Sequence, residues 1–214
     1  MEALAILERL KAFEVRLSAA QFDKIAMYLA LLLRWNRAIN LTSVREPGEI
    51  VTRHFGESLY LTRLVNLRGT LLDVGSGAGF PGLVLKIAVP DLNLVLLEPT
   101  AKKRAFLKEV ARECCLMGIE IRPERVEEFC RTKPSSADVV TIRAVGSFGT
   151  VLGASAECLT PGGALYVWLT RSQAERLSAE CMDLTWMKPV PIPLSRDRAI
   201  LCGTHRSAGQ AGRS

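Results

Sequence analysis

The stretch Leu72-Asp73-Val74-Gly75-Ser76-Gly77-Ala78-Gly79-Phe80-Pro81-Gly82 decides how this chain of 214 residues is read. Ahead of the glycines, Thr70 to Asp73 is short and apolar, the pattern of a strand buried on both faces. Glycines at alternate positions permit positive φ and let the backbone come close to a ligand. Behind them Pro81 opens a helix, because proline is tolerated in a first helical turn. A buried strand, a glycine loop and a helix in that order set up an open α/β sheet. The ligand of such a sheet sits outside the carboxyl ends of its strands.

The alternation continues downstream. Residues 92–97 read as a second buried strand, 100–117 as a helix ended by Gly118, 119–122 as a third strand and 137–142 as a fourth. A helix over about 147–158 leads to a turn at Pro161-Gly162-Gly163, a fifth strand over 164–169 and a helix over 171–180. Residues 184–189 and 199–202 fit an antiparallel pair that closes the sheet. Such alternation implies a mostly parallel sheet with helices on both faces. Upstream of residue 69 the pattern is helical. Ile6, Leu10 and Phe13 share one face. Ser18 and Gln21 form a capping box, with Leu17 and Phe22 as its hydrophobic staple, and Ile25, Leu29 and Leu32 follow at helical spacing. Pro47-Gly48 breaks the chain before a third helix over about 49–65. The expected division is a helical cap over residues 1–68, an α/β domain over 69–203 and a small, basic tail over 204–214.

Composition narrows the class. A 49% hydrophobic content excludes disorder, and the mean hydropathy of +0.18 raises the question of a membrane. The most apolar run, Met27 to Leu33, is too short to answer it, since a span needs about 20 residues. The N-terminus lacks the layout of a secretory signal. The cysteines (114, 115, 130, 158, 181 and 202) form no C-x-x-C pair and have only His54 and His205 beside them, so no metal site is expected. They read as reduced, buried thiols of a cytoplasmic protein. A net charge of +6 points weakly to an anionic partner.

Two cofactors fit the loop. Gly77-x-Gly79-x-x-Gly82 matches the dinucleotide fingerprint. Asp73-x-Gly75-x-Gly77-x-Gly79 resembles the loop of S-adenosylmethionine-dependent methyltransferases. Glu98, ending the second strand, suits the ribose of either cofactor.

Other segments separate the two. Arg34-Trp-Asn-Arg-Ala-Ile-Asn-Leu-Thr-Ser-Val44 and Arg53-His-Phe-Gly-Glu-Ser-Leu59 resemble the N-terminal signature of the bacterial 16S ribosomal RNA guanine-N7 methyltransferases of type G, also called the glucose-inhibited division protein B family. Residues 72–82, 97–107, Arg125-Val-Glu-Glu-Phe129 and Ile142-Arg-Ala144 resemble further segments of that family in the same order. The resemblance implies a Rossmann-like methyltransferase fold with a helical N-terminal cap. It implies methyl transfer from S-adenosylmethionine to N7 of one guanine in the 530-loop, or decoding region, of 16S rRNA, on the small ribosomal subunit or an assembly intermediate. By motif match, Asp73, Gly75, Gly77, Gly79, Phe80 and Glu98 would form the cofactor site, with Val126 and Glu127 at the adenine and Arg143 beside cofactor and base. The sequence departs from the family at Trp168-Leu-Thr-Arg171, where members carry Lys-Gly, and at Pro99-Thr100, where they carry Ser-Leu.

The chemistry suits these residues. Guanine N7 carries an in-plane lone pair and no proton, so it attacks the methyl carbon directly and needs no general base. The work is alignment. The product is cationic, so Arg143 is assigned to positioning rather than charge stabilisation. His54 is the second candidate, either ordering the cap over the pocket or touching RNA. Arg34, Arg37, Arg53, Lys102, Lys103 and Arg171 are candidate RNA contacts, and Trp35 and Phe80 candidate stacking platforms. A monomer is expected. Two rivals stand beside this reading: a dinucleotide-dependent oxidoreductase and a non-catalytic RNA-binding module.

Overall fold

The computed structural model describes residues 3–143, 148–180 and 184–205. One sheet runs in the order β3-β2-β1-β4-β5-β8-β6. Its strands are β1 (Thr70–Val74), β2 (Asn93–Leu97), β3 (Ile119–Arg122), β4 (Ala137–Arg143), β5 (Leu159–Thr170), β6 (Leu184–Trp186) and β8 (Arg198–His205). A short β7 (Val190–Pro191) pairs with β8 off this path. β1 to β5 are parallel, and β8 runs antiparallel to both β5 and β6. The α/β class, the mostly parallel sheet and the antiparallel closure are as expected.

Strand alternation sorts side chains onto two faces. Leu71, Val139, Tyr166 and Ile200 belong to one buried cluster, and Leu72, Val140, Leu165 and Leu201 to the other. The second face is covered by α8 (Val126–Thr132), α9 (Phe148–Glu157) and α10 (Arg171–Glu180). The first is covered by α6 (Gly82–Ala88), α7 (Ala101–Glu113) and the N-terminal helices α1 (Ala3–Lys11) and α2 (Ala19–Trp35). Ile6, Phe13, Ile25 and Leu32 lie in the same cluster as Leu71 and Val139, so the cap's core is continuous with that face of the sheet.

The capping box of α2 forms as the sequence requires: Gln21 N–H donates to Ser18 Oγ and Ser18 N–H to Gln21 Oε1. Gln21 Nε2 also donates to Ala88 O at 2.9 Å, which ties the cap to the end of α6. The third cap helix differs from expectation. Pro47-Gly48 starts it instead of breaking the chain, because the Glu46 carboxylate accepts from the Gly48 and Glu49 amides. It proceeds as α3 (Pro47–Ile50), a π-helical turn (Val51–Gly56), α4 (Glu57–Leu59) and α5 (Leu61–Leu64). Within the π turn Glu57 N–H reaches back to Thr52 O. Val51, Phe55 and Leu59 stay buried through it, so the apolar spacing gives no sign of the inserted residue.

Other differences have local causes. α7 ends at Glu113, not Met117. Cys115, at φ 47°, closes it in a Schellman pattern, with Cys115 N–H to Arg112 O and Leu116 N–H to Ala111 O. Pro161-Gly162-Gly163 lies inside β5 as a bulge: Ala137 pairs with Leu159 but Val139 with Ala164. β8 continues through His205, so residues 204 and 205 belong to the sheet and not to the expected tail; residues 206–214 lie outside the described residues. So do Ala144, Ser147 and Cys181. α8, a seven-residue helix, has too few turns to show a period. Packing of α8 against α9 brings Cys130 and Cys158 to a Cα separation of 5.3 Å, and they form a disulfide, contrary to the all-reduced expectation. Cys115 is exposed rather than buried. No helix among the described residues is long and apolar enough to cross a membrane.

A shared core predicts shared unfolding. A Cβ on Gly56 would lie 2.2 Å from the Phe13 ring. Gly56→Ala is expected to cost about 1–3 kcal/mol by overpacking. Probes in the cap and in the sheet should report one denaturant transition at the same midpoint. Separate transitions would show that the cap folds independently.

Candidate active site

The glycines of the loop do different jobs. Gly75, Gly77 and Gly79 have φ of 68°, 56° and 90°, a region that costs other residues roughly 1–2 kcal/mol. A Cβ on Gly79 would lie 2.5 Å from the Tyr28 hydroxyl and 2.6 Å from Leu83 Cδ1, and one on Gly82 2.7 Å from Leu96 Cδ2. These two positions are small so that α2 and β2 can press on the loop. Tyr28, brought in by α2, donates its hydroxyl to Ala78 O. At Gly77 a Cβ would meet nothing nearer than Gly75 O at 3.8 Å. Gly77 is the position with room beside it.

Two carboxylates fix the loop from beneath. Asp73 is fully buried. Its Oδ1 accepts from Thr141 Oγ1 at 2.7 Å, across the β1–β4 register, and its Oδ2 from Gly82 N–H at 3.3 Å. Burial pushes its pKa up to about 6. Glu98, at the carboxyl end of β2, accepts from Gly77 N–H at 2.9 Å and from Thr100 N–H at 2.8 Å. Asp73 thus serves as a structural anchor, whereas Glu98 reaches the open part of the loop.

Above the loop lies a cavity of about 340 Å³, within the range of small-molecule sites. Its floor is Gly75 to Ala78 and Phe80; its walls include Thr42, Arg53, His54, Lys103 and Arg143. A larger cavity of about 580 Å³ lies at the opposite edge, beside Gly69, Asp138 and Gly162, where the parallel strands begin. The smaller one is the candidate, because it holds the strand ends and the glycine loop. Phe80 is stacked with Tyr28 (centroids 5.3 Å apart) and with His54 (4.8 Å), and meets Phe55 edge-on. Those rings make it a wall, not a free platform for a base. Trp35 packs on Phe106 and is likewise core packing.

His54 Nε2 is 2.7 Å from Thr42 Oγ1, and its Nδ1 is buried without a partner. Desolvation first, then Arg143, Arg53 and Arg198, press its pKa down to about 3. The imidazole is therefore neutral near pH 7.

Arg143 ends β4 on the cap side of the sheet. Its Nη2 donates to Glu57 Oε2 at 2.9 Å and to Arg53 O, and Nη1 lies 3.5 Å from Ser58 Oγ. Glu57 is 1% exposed and also receives Arg198, whose Nε lies 2.7 Å from Oε1. Trp168 Nε1 donates to Glu57 O at 2.9 Å. Register explains the convergence: Arg143 pairs with Trp168 and Thr170 with Arg198, and Arg143, Trp168 and Arg198 share the cap-facing side.

Of the residues singled out from sequence, Arg53, His54, Gly75, Gly77, Phe80 and Arg143 meet at the cavity, with Lys103 at its side. Asp73, Gly79 and Glu98 support the loop without lining it. Val126 is buried in the opposite core with Leu97, and Glu127 follows it at the start of α8; neither lines the cavity. Arg34 pairs with Glu109, Arg37 and Lys102 are exposed, and Arg171 is exposed at the end of β5. Glu57, Arg198, Trp168 and Asn36 were not singled out. An acid in a cap helix and an arginine at the start of a late strand carry no local signal of meeting.

Two predictions follow from the buried charges. Glu57→Ala strands two guanidiniums and should cost about 3–5 kcal/mol in denaturant unfolding; a loss below about 1 kcal/mol would remove the pair from the structural core. Linkage gives opposite signs for the two shifted groups. Asp73 keeps its proton in the folded chain up to about pH 6, against 3.8 unfolded, so its contribution declines as pH rises through that window. His54 stays neutral to about pH 3, against 6.5 unfolded, so stability is lost as pH falls below about 6.5. In NMR the His54 ring should not titrate between pH 7 and 5; a midpoint near 6.5 would contradict its burial.

A family model described as rRNA small subunit methyltransferase G matches residues 21–191. The ribosomal RNA small subunit methyltransferase G of Halorhodospira halophila is 37% identical over 176 residues, covering 82% of this chain and 80% of that protein. The protein of the same name from Sorangium cellulosum is 38% identical over 201 residues, covering 92% and 80%. Among solved structures, an S-adenosylmethionine-dependent methyltransferase from Aquifex aeolicus aligns with a TM-score of 0.61 over 77% of this chain and 96% of that one. At 12% identity that likeness shows the fold alone. The family model and both relatives agree with the glycine loop and its cap, and the chain belongs to the rRNA small subunit methyltransferase G family.

Proposed function

We propose that the chain transfers the methyl group of S-adenosylmethionine to N7 of one guanine in the 530-loop region of 16S rRNA, on the small subunit or an assembly intermediate. The observation that carries the reading is the cavity of about 340 Å³ between the Gly75–Ala78 backbone and the cap, in a chain of this family. The residues present fit the methyl donor. The loop backbone at Gly75 and Gly77 borders open space, and Glu98 lies against Gly77 with a carboxylate suited to ribose hydroxyls. Val126 and Glu127, which do not line this cavity, are assigned to the adenine end by motif match alone.

S-adenosylmethionine supplies an electrophilic methyl on a sulfonium, and guanine N7 supplies the lone pair. The chain's part is positional. The Glu57 carboxylate fixes Arg143 at the end of β4. Phe80, His54 and Tyr28 form a rigid aromatic wall. The neutral His54 adds no positive charge beside a base that becomes cationic. Arg53 and Lys103 border the cavity, and together with the exposed Arg37 and Lys102 they are the proposed contacts for the RNA backbone.

A dinucleotide fits less well. Its pyrophosphate needs free amides at the start of the helix after β1. Here Pro81 has none, Gly82 N–H is bonded to Asp73 and Leu83 N–H to Gly79 O. The sheet order, with antiparallel β8 between β5 and β6, also departs from the dinucleotide-binding order.

Incubation with methyl-labelled S-adenosylmethionine and undermethylated small subunits should place label on a single guanine N7. Label elsewhere, or none, would refute the reading. Gly77→Asp fills the open side of the loop with a carboxylate and should abolish donor binding and transfer while the chain stays folded. Unchanged donor affinity would remove the loop from the site.

A further inference from the structure

His54 belongs to a short polar chain that begins at Asn36. The Asn36 side chain is buried and pins the segment over the cavity: Oδ1 accepts from the Leu41 and Thr42 amides at 2.8 and 3.0 Å, and Nδ2 donates to Thr42 O at 3.1 Å. So held, Thr42 Oγ1 accepts the Val44 N–H at 3.1 Å and faces His54 Nε2 at 2.7 Å. A hydroxyl has one proton to give. Either Thr42 Oγ1 or His54 Nε2 can supply the proton of this contact, and in one of the two arrangements Thr42 donates to Nε2. Donation there leaves Nε2 as acceptor and puts the imidazole proton on Nδ1. That N–H is buried and has no acceptor, an arrangement that costs free energy until something accepts it.

We infer that His54, oriented by Asn36 and Thr42, presents its Nδ1–H to the O6 oxygen of the substrate guanine and is the residue that selects guanine over adenine. This rests on the proposed guanine-N7 reading. O6 adjoins N7 on the same edge of the base, and N7 itself must stay free of donors to attack the methyl. Adenine carries an amino donor where guanine carries O6, so it would meet the Nδ1–H donor to donor. Stacking on Phe80 holds the ring plane, and burial, with three neighbouring arginines, disfavours a second proton on Nε2. Asn36 and Thr42 act through His54 and are positioning residues.

The test has two arms. With the intact chain labelled with nitrogen-15 in histidine, the His54 resonances should show a protonated Nδ1 and an unprotonated Nε2; the reverse tautomer overturns the inference. In the second arm, His54→Ala should lower kcat/KM for small subunits by about ten- to a hundredfold while the Kd for S-adenosylmethionine by calorimetry stays within about twofold. His54→Asn, whose amide can donate from near the Nδ1 position, should recover part of the loss, and His54→Gln should recover less. An equal loss in donor affinity and kcat/KM would make the donor's own carboxylate the acceptor and overturn the inference, as would unchanged kcat/KM in His54→Ala. Failure of the wild-type chain to methylate any guanine would instead refute the proposed function, whatever the tautomer.

Discussion

The Glu57 carboxylate, buried between the guanidinium groups of Arg143 and Arg198, is the constraint on which the rest of the site depends. Glu57 comes from the cap, Arg143 from the end of β4, Arg198 from the start of β8. A carboxylate at 1% exposure is tolerable only when both oxygens are engaged, and here one guanidinium takes each. Removing any partner leaves a charge with nowhere to go. The cap is thus locked at one angle to the strand ends, and the cavity has walls only because of that angle. The Trp168 indole, bonded to Glu57 O, adds a fourth element to the junction.

From that junction the site follows step by step. The π turn just before Glu57 places Arg53 and His54 at the cavity while Phe55 stays in the core. Tyr28 reaches from α2 to the loop carbonyl at Ala78, and Gly79 leaves it room. Asp73 and Glu98 tie the loop amides from below. A backbone held from both sides costs little further ordering when a ligand binds, the condition for aligning a nucleophile, a methyl carbon and a leaving sulfur.

The sheet and the loop were legible in the sequence because both rest on local signals: short apolar runs, and glycines where φ is positive. The capping box at Ser18 and Gln21 was legible for the same reason. The role of Asp73 was not. In sequence it is the first letter of a cofactor motif, yet its carboxylate is spent on Thr141 and Gly82, partners set by strand register. Arg143 was legible as a strand-end arginine, but its partner Glu57 sits 86 residues earlier, a pairing no spacing announces. The π turn was hidden because it preserves the apolar stripe. Pro47 misled for a related reason: the Glu46 cap that turns it from breaker to starter is a side-chain contact. The disulfide between Cys130 and Cys158 depends on how α8 meets α9, which follows only from the fold.

The central claim is that the loop, closed over by the cap, forms a methyl-donor site and not a dinucleotide site. Calorimetry on the intact chain with S-adenosylmethionine and with NAD in parallel tests it most directly. The account predicts saturable binding of S-adenosylmethionine at one site per chain and no binding of NAD. Binding of NAD without S-adenosylmethionine would contradict it.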